Sequence, residues 1–331
     1  MATLKGKKVL VTGAGGFIGS HLVEALVAEG ASVRAMVRYN SLGHWGMIEE
    51  LAPDVRSAIE VVRGDVCDLP FVAKAVKGRD VVFHLAALIA IPYSYEAAAS
   101  YVSTNVQGTL NVLQAALDAG VPRVVHTSTS EIYGTAQYVP IDEKHPINPQ
   151  SPYAATKAGA DWLALTFHRS FDLGVSVLRP FNTFGPRQSA RAIVPTIITQ
   201  ALAREEIALG NADAIRDLTF VKDTARGFIA NALSDSSVGR VVHLGTGTGV
   251  SVADLAKTIT GLLGVSRKIT FGCAERMRPE KSEVERLISS PAEALAVMQW
   301  RPTTSLDDGL RQTVEYVRAH LDRYKPDLYN V

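Results

Sequence analysis

The chain has 331 residues, more than one hydrophobic core ordinarily supports, so a large domain with a smaller partner built from the C-terminal part is expected. Its 34 basic and 33 acidic side chains leave a formal charge of +1, which provides no long-range field for nucleic acid. Cys67 and Cys273 lack the number and spacing of a disulfide framework or metal knuckle, so no metal is expected, both are read as small core residues, and a reducing, cytoplasmic setting fits. The start, Met1 to Lys8, has no signal-type apolar block, and the longest apolar run, Val81 to Ile91, contains His84, so no membrane span is expected.

In chain order, Lys8 to Thr12 predicts the first strand. A glycine turn follows, then a helix from about Phe17 to Glu29 stopped by Gly30, and a strand around Val33 to Val37. Further strands are predicted at Ile59 to Arg63, Val81 to Leu85, Val124 to Ser128 and Val175 to Leu178, each bracketed by turn residues. Helices are predicted over Asn105 to Ala119, ended by Gly120, and over Tyr153 to Phe171, entered through Ser151-Pro152. This alternation specifies an α/β chain: a Rossmann-like doubly wound parallel sheet with a smaller C-terminal α/β substrate-binding domain. The expected division assigns 1–178 and about 218–243 to the first domain and 179–217 with 244–331 to the second. A second glycine run, Gly245 to Gly249, is read as a structural turn, because no further βαβ unit follows; Ser251 should cap the next helix.

Gly13, Gly15, Gly16 and Gly19 stand between a strand and a helix, where lost side chains let the backbone turn tightly and approach a pyrophosphate at a helix N-terminus. The second strand ends Val37-Arg38-Tyr39-Asn40-Ser41 with no acid for a ribose 2′-hydroxyl. Arg38 stands where a 2′-phosphate would need a cation, so NADP is expected, with NAD the alternative. Asp65 is either an adenine contact or a turn former.

Tyr153 and Lys157, four apart on a helix, share one face, and an ammonium beside a phenol should bring its pKa toward the working range. Thr127 to Glu131 follow a strand, which puts hydroxyls and a carboxylate at the C-terminal edge of the sheet. There Thr129 can bond a substrate hydroxyl, and Glu131 can remove a carbon-bound proton next to a ketone.

These motifs, in this order, resemble the extended short-chain dehydrogenase/reductase superfamily of NAD-dependent epimerases and dehydratases over essentially the whole chain. Besides the glycine turn, the resemblance is carried by His84 to Ala87, Asn105 through Thr109, Ser128 to Gly134, Ser151-Pro152-Tyr153 with Lys157, Arg179 to Arg187, and Arg216-Asp217 before Val221-Lys222-Asp223. Leu88 to Tyr95 and Gly185 to Ala192 most resemble nucleotide-activated N-acetylglucosamine 4,6-dehydratases of legionaminic acid biosynthesis.

The resemblance implies a lyase with a redox-neutral cycle. Tyr153 takes the proton of the sugar 4-hydroxyl while hydride leaves carbon 4; Glu131 removes the carbon 5 proton and protonates the hydroxyl departing from carbon 6; hydride then returns to carbon 6. It places Thr129, Ser130, Glu131, Tyr153 and Lys157 in catalysis. A tightly held cofactor is assigned to Gly13, Gly16, Phe17, Ile18, Gly19, Arg38, Asp65, Val66, Leu85, Ala86, Ala87, Asn105, Ser128, Tyr153, Lys157 and Pro180. A UDP- or GDP-linked N-acetylglucosamine-class sugar is assigned to Ser130, Asn182, Arg187, Gln188, Arg191, Arg216 and Arg278. One departure stands out. Glucose-specific dehydratases of this type have Thr-Asp-Glu, whereas this chain has Ser130 at the aspartate position, leaving Glu131 to serve both proton transfers. Thr-Ser-Glu also resembles GDP-mannose dehydratases and UDP-glucuronate decarboxylases, so the alternative is a nucleotide-sugar C4-epimerase or a decarboxylase-like enzyme. A non-catalytic dinucleotide sensor would have no use for Tyr153, Lys157 and Glu131. The resemblance also implies a homodimer through a four-helix bundle of the Asn105 and Tyr153 helices.

Overall fold

A computed structural model describes residues 3–326, so the expected domain limits at 1 and 331 lie outside the described residues. β1 (Lys8–Thr12), α1 (Phe17–Ala28), β2 (Ser32–Arg38), β3 (Ile59–Gly64), β4 (Val81–His84), β5 (Arg123–Thr127) and β6 (Val175–Pro180) lie within one or two residues of the expected elements. With the edge strand Val241–Leu244 they form a seven-stranded parallel sheet, in the order Val241–Leu244, β6, β5, β4, β1, β2, β3. The direction of winding reverses between β1 and β4, which opens a crevice beyond their C-terminal ends.

Helices cover both faces because the buried strands are apolar on both. On one face, Leu22 and Leu26 of α1 pack with Phe228 and Ile229 against Val9, Val11 and Phe83. On the other, Val112, Leu113, Ala164 and Leu165 pack against Leu10, Val82 and Val124. The helix Val221–Leu233 and the edge strand return to the first sheet. A separate core joins Phe184, Ile197, Phe220, Leu255, Ile259 and Leu310 around a small sheet centred on Ile215–Phe220.

The expected Asn105 helix begins earlier and is irregular. Ala98–Tyr101 leads into a wider π-type turn, Val102–Gln107, before the regular helix Gly108–Asp118. The wide turn carries the Asn105 side chain to the backbone of Leu88, where Oδ1 accepts from Leu88 N at 2.8 Å. Both cysteines depart from expectation: Cys67, in the turn after β3, is exposed, and Cys273 is half-buried.

The run Gly245 to Gly249 is a structural turn. The buried Asp217 carboxylate accepts from Thr246 N at 2.8 Å, Gly247 N at 2.9 Å and Ser289 N at 3.1 Å, and Ser251 caps the following helix through Asp254 N at 3.0 Å. No described helix is long and apolar enough to cross a membrane.

The edge strand is covered by a side chain. Glu143 Oε1 accepts from His243 N at 3.0 Å, and burial raises this carboxyl to about 7 despite that bond. Because the folded value lies above the unfolded one near 4.5, the group's contribution to stability is complete below that value and is lost as pH rises through about 7. Urea midpoints of Glu143→Gln should therefore decline less between pH 5 and 7.5 than those of the parent; parallel declines would remove Glu143 as the cause.

Candidate active site

The glycine turn is tight chiefly because backbone meets backbone. A Cβ on Gly13, whose φ is 70°, would lie 2.7 Å from Ala86 N; one on Gly19 would lie 2.2 Å from Gly13 O, and one on Gly15 2.6 Å from Trp45 O. Backbone of Ala86, of Trp45 and of the turn itself thus stands where side chains at three of the four glycines would lie. Gly16 stands before α1 without a side-chain cap, so the first amides of the helix are open to an anion. The loop after β4 is tied to the turn: Leu85 N and Ala86 N both donate to Thr12 Oγ1 at 3.2 Å, and Ala87 follows them. This cradle suits a dinucleotide.

The other expected cofactor residues divide. Arg38 is exposed at the end of β2 and shares a cavity of about 310 Å³ with Leu88, Tyr93, Ser103 and Thr104. Asp65 forms a turn, with Oδ1 accepting from Cys67 N at 2.9 Å, and Val66 is buried against Gly108. Phe17 and Ile18 open α1 but pack into the C-terminal core. Asn105 is committed to Leu88 and Thr156, and the Ser128 hydroxyl to Asp161, so neither side chain is turned to a ligand, contrary to expectation. Pro180 is buried at the end of β6. A larger hollow of about 570 Å³, between Thr135–Val139 and Asn211–Ile215, includes none of the expected site residues.

Ser151 caps the helix Pro152–Phe171 through Ala154 N at 3.1 Å, and Pro152 opens it. One turn apart, Tyr153 and Lys157 are both buried on its inner face. Lys157 Nζ donates to Thr127 O at 2.6 Å, and burial lowers the ammonium to about 8 against the opposing charge of Asp161. Burial raises the Tyr153 phenol; a hydrogen bond from Thr129 lowers it, and the charge of Glu131 raises it further. The net direction is upward, opposite to the sequence expectation, because in this pocket desolvation dominates and the ammonium is engaged at Thr127.

Glu131 lies on the short turn Ser130–Tyr133 directly after β5, and Ser130 is buried beside it. Thr129 Oγ1 accepts from the backbone Glu131 N at 3.2 Å, and its hydroxyl lowers the Tyr153 phenol. Tyr153 and Glu131 are both buried, and the charge of Glu131 reaches the phenol.

The substrate-side residues also divide. Arg278 Nη1 lies 3.3 Å from Glu131 Oε2. Arg216 is buried nearby, donating to Ile215 O at 3.0 Å and Val284 O at 2.8 Å, within the field of Glu131 and Arg278. Asn182 Oδ1 and Gln188 Oε1 are buried without a hydrogen-bond partner. Arg191 is exposed, bonded to Ser189 Oγ at 3.1 Å, and its charge reaches Tyr101. Arg187 departs from expectation. Held at φ 69°, it pairs with Glu24 and bonds His21 Nδ1 at 3.0 Å, so it fastens the loop to α1.

Sequence reasoning overlooked the groups behind the catalytic helix. Asp161, one turn beyond Lys157, accepts from Ser128 Oγ at 2.6 Å and Arg179 Nε at 3.1 Å, with His126 Nε2 at 3.2 Å. Its position at i+4 from Lys157 was the available signal. Tyr95, whose hydroxyl meets Ser282 Oγ at 2.5 Å, was quoted only as part of a motif.

Residues 10–313 match the family described as GDP-mannose 4,6 dehydratase. A dTDP-glucose 4,6-dehydratase of Actinoplanes sp. is 33% identical over 320 residues, covering 95% of this chain and 98% of its own. A UDP-glucose 4-epimerase of Mycolicibacterium smegmatis is 33% identical over 318 residues, covering 94% and 98%. Among solved structures, a dTDP-glucose 4,6-dehydratase of Streptomyces venezuelae with NAD bound superposes with a TM-score of 0.87 at 32% identity, covering 96% and 99%. With its glycine cradle, buried Tyr153 and Lys157 and adjacent Glu131, the chain belongs to the GDP-mannose 4,6 dehydratase family, among the extended short-chain dehydrogenase/reductase enzymes.

Proposed function

We propose that the enzyme is a nucleotide-sugar 4,6-dehydratase acting on a UDP- or GDP-linked hexosamine of the N-acetylglucosamine class. The observation that carries this reading is the buried Glu131, whose charge acts on the buried phenol of Tyr153. Exchange of configuration at carbon 4 needs a phenol and a hydride carrier alone; elimination of water across carbons 5 and 6 also needs a group that removes a carbon-bound proton and delivers one to the leaving oxygen. Glu131 is the carboxylate placed for that work. Tyr153 receives the proton of the 4-hydroxyl, and Thr129 orients the phenol oxygen. Arg278 and Arg216, whose guanidinium forks match phosphate oxygens, hold the diphosphate, with Asn182 and Gln188 contributing amide groups. The nicotinamide ring, when bound, accepts hydride from carbon 4 and supplies it to carbon 6.

On this reading the dinucleotide is held by residues 1–178 with 218–243, and the nucleotide sugar by 179–217 with 244–331. Arg38 supports NADP, while the NAD in the Streptomyces structure supports the unphosphorylated form. Two copies would pair through Gly108–Asp118 and Pro152–Phe171, an arrangement supported by Trp162, which is 51% exposed on the second helix. The UDP-glucose 4-epimerase relative supports the alternative, C4 epimerisation.

Incubation of the purified enzyme with UDP- and GDP-N-acetylglucosamine, dTDP-glucose and UDP-glucose should yield from the cognate sugar a product lighter by one water. An isomer of unchanged mass would replace this reading with epimerisation. Glu131→Gln should lower the rate of water loss by roughly 10²–10⁴-fold while bound cofactor still becomes reduced on mixing. Unimpaired water loss would remove Glu131 from the chemistry. In a separate titration of apoenzyme, Arg38→Ala should weaken NADP by about tenfold while leaving NAD unchanged; no difference between the two cofactors would favour NAD.

A further inference from the structure

We propose that Asp161 is a positioning residue: by holding the Ser128 hydroxyl, it locks the end of β5, which presents Thr127 to Lys157 and Thr129 to Tyr153, onto the catalytic helix. The proposal rests on the assignment of Tyr153, Lys157 and Glu131 to the reacting pocket.

Tyr153, Lys157 and Asp161 follow at intervals of four on the inner face of one helix, and all three are buried. Tyr153 and Lys157 face the pocket, whereas Asp161 faces the sheet beneath. There its carboxylate meets Ser128 at 2.6 Å, Arg179 Nη2 at 3.0 Å and His126 at 3.2 Å. Ser128 is the critical partner because of its neighbours in sequence. The preceding carbonyl, Thr127 O, takes the Lys157 ammonium at 2.6 Å, and the following hydroxyl, Thr129, caps the turn bearing Glu131 and acts on the Tyr153 phenol. Ser128 N also donates to Leu178 O at 2.7 Å, so the residue is clamped by β6 on the backbone side and by Asp161 on the side-chain side. A slip of the strand end would move the lysine anchor, the phenol's donor and the carboxylate together.

Asp161 is also a charge. It is faced by His126 from β5, by Arg179 from β6 with Tyr133 behind it, and by Lys157 and Tyr153 from its own helix; His84 from β4 lies beyond His126. Its negative charge raises both the Lys157 ammonium and the Tyr153 phenol. Neutralising it lowers both, which shifts the pH profile of kcat toward acid.

The test compares Asp161→Asn, which keeps the shape, with Ser128→Ala, which keeps the Asp161–Arg179 ion pair and therefore guards against loss of folding. Both are studied as cofactor-loaded full-length enzyme. Amide hydrogen exchange should accelerate in both across 127–131 while β6 in Ser128→Ala stays protected. With UDP-N-acetylglucosamine or dTDP-glucose as probe, kcat per cofactor-loaded molecule should fall at least about tenfold in both while KM stays within about twofold. Only Asp161→Asn should move the pH profile to lower values. Unchanged exchange at 127–131 in both variants, or an unchanged kcat per loaded molecule, would overturn the proposal. Should the parent turn over neither probe, the substrate assignment fails, and the exchange comparison still decides the role of Asp161.

Discussion

The structure around the site depends on one carboxylate buried between β5, β6 and the catalytic helix. Asp161 is 1% exposed and its partner Arg179 3%, so neither charge is repaid by water. Removing a carboxylate and a guanidinium from solvent costs several kcal/mol each, and a buried pair is tolerated only where further hydrogen bonds complete its coordination. Here Ser128 and Arg179 bond one oxygen of the acid, Oδ2, while His126 Nε2 lies 3.2 Å from Oδ1 without a hydrogen bond, and the Tyr133 hydroxyl accepts from Arg179 Nη1 at 2.5 Å. Breaking such a pair from one side leaves an uncompensated charge at a cost of about 3–5 kcal/mol, whereas an apolar replacement of the whole pair is often neutral. Stability alone therefore does not explain an ion pair at this point. Registry does, because the pair and Ser128 connect three elements that must agree in position for the pocket to exist.

The pocket above is a problem in charge balance. Glu131 lies beside Arg278, within reach of the buried Arg216 and opposite a phenol raised by burial. One pKa unit corresponds to 1.36 kcal/mol, so desolvation of the phenol is a substantial barrier to using it as a base in the ligand-free pocket. One of the three ammonium hydrogens of Lys157 is directed to the Thr127 carbonyl. Phenol, carboxylate and guanidinium are thus held close together, and the arrival of a diphosphate would change the electrostatics of all three at once.

What was legible in the sequence was whatever depends on neighbours along the chain. β1, the glycine turn and α1 follow from strand periodicity and glycine spacing, and the catalytic helix from Ser151-Pro152 and the i, i+4 pair. The structural reading of Gly245 to Gly249 succeeded for the same reason, since no second βαβ pattern follows, although the clamp that holds it, Asp217, was not foreseen. Long-range partners were illegible. Nothing in sequence spacing tells that Arg187 turns back to Glu24 and His21 on α1, that Asn105 rides a π-type turn to Leu88, or that the Ser128 hydroxyl faces inward. Nor does it show that the Gly13 and Gly19 positions are decided by contacts with Ala86 and with the turn itself.

The same reasoning explains why family membership is sharper than reaction type. The features that define the chassis are backbone features, glycine contacts and helix caps, common to any enzyme that moves hydride to and from carbon 4. Glu131 lies on a four-residue turn, Ser130–Tyr133, which is capped by the Thr129 hydroxyl and follows a strand end held from beneath. A chain can therefore keep the sheet and change the product by altering that turn. The one acid on that turn, Glu131, lies between Arg278, 3.3 Å away, and the Tyr153 phenol that its charge raises.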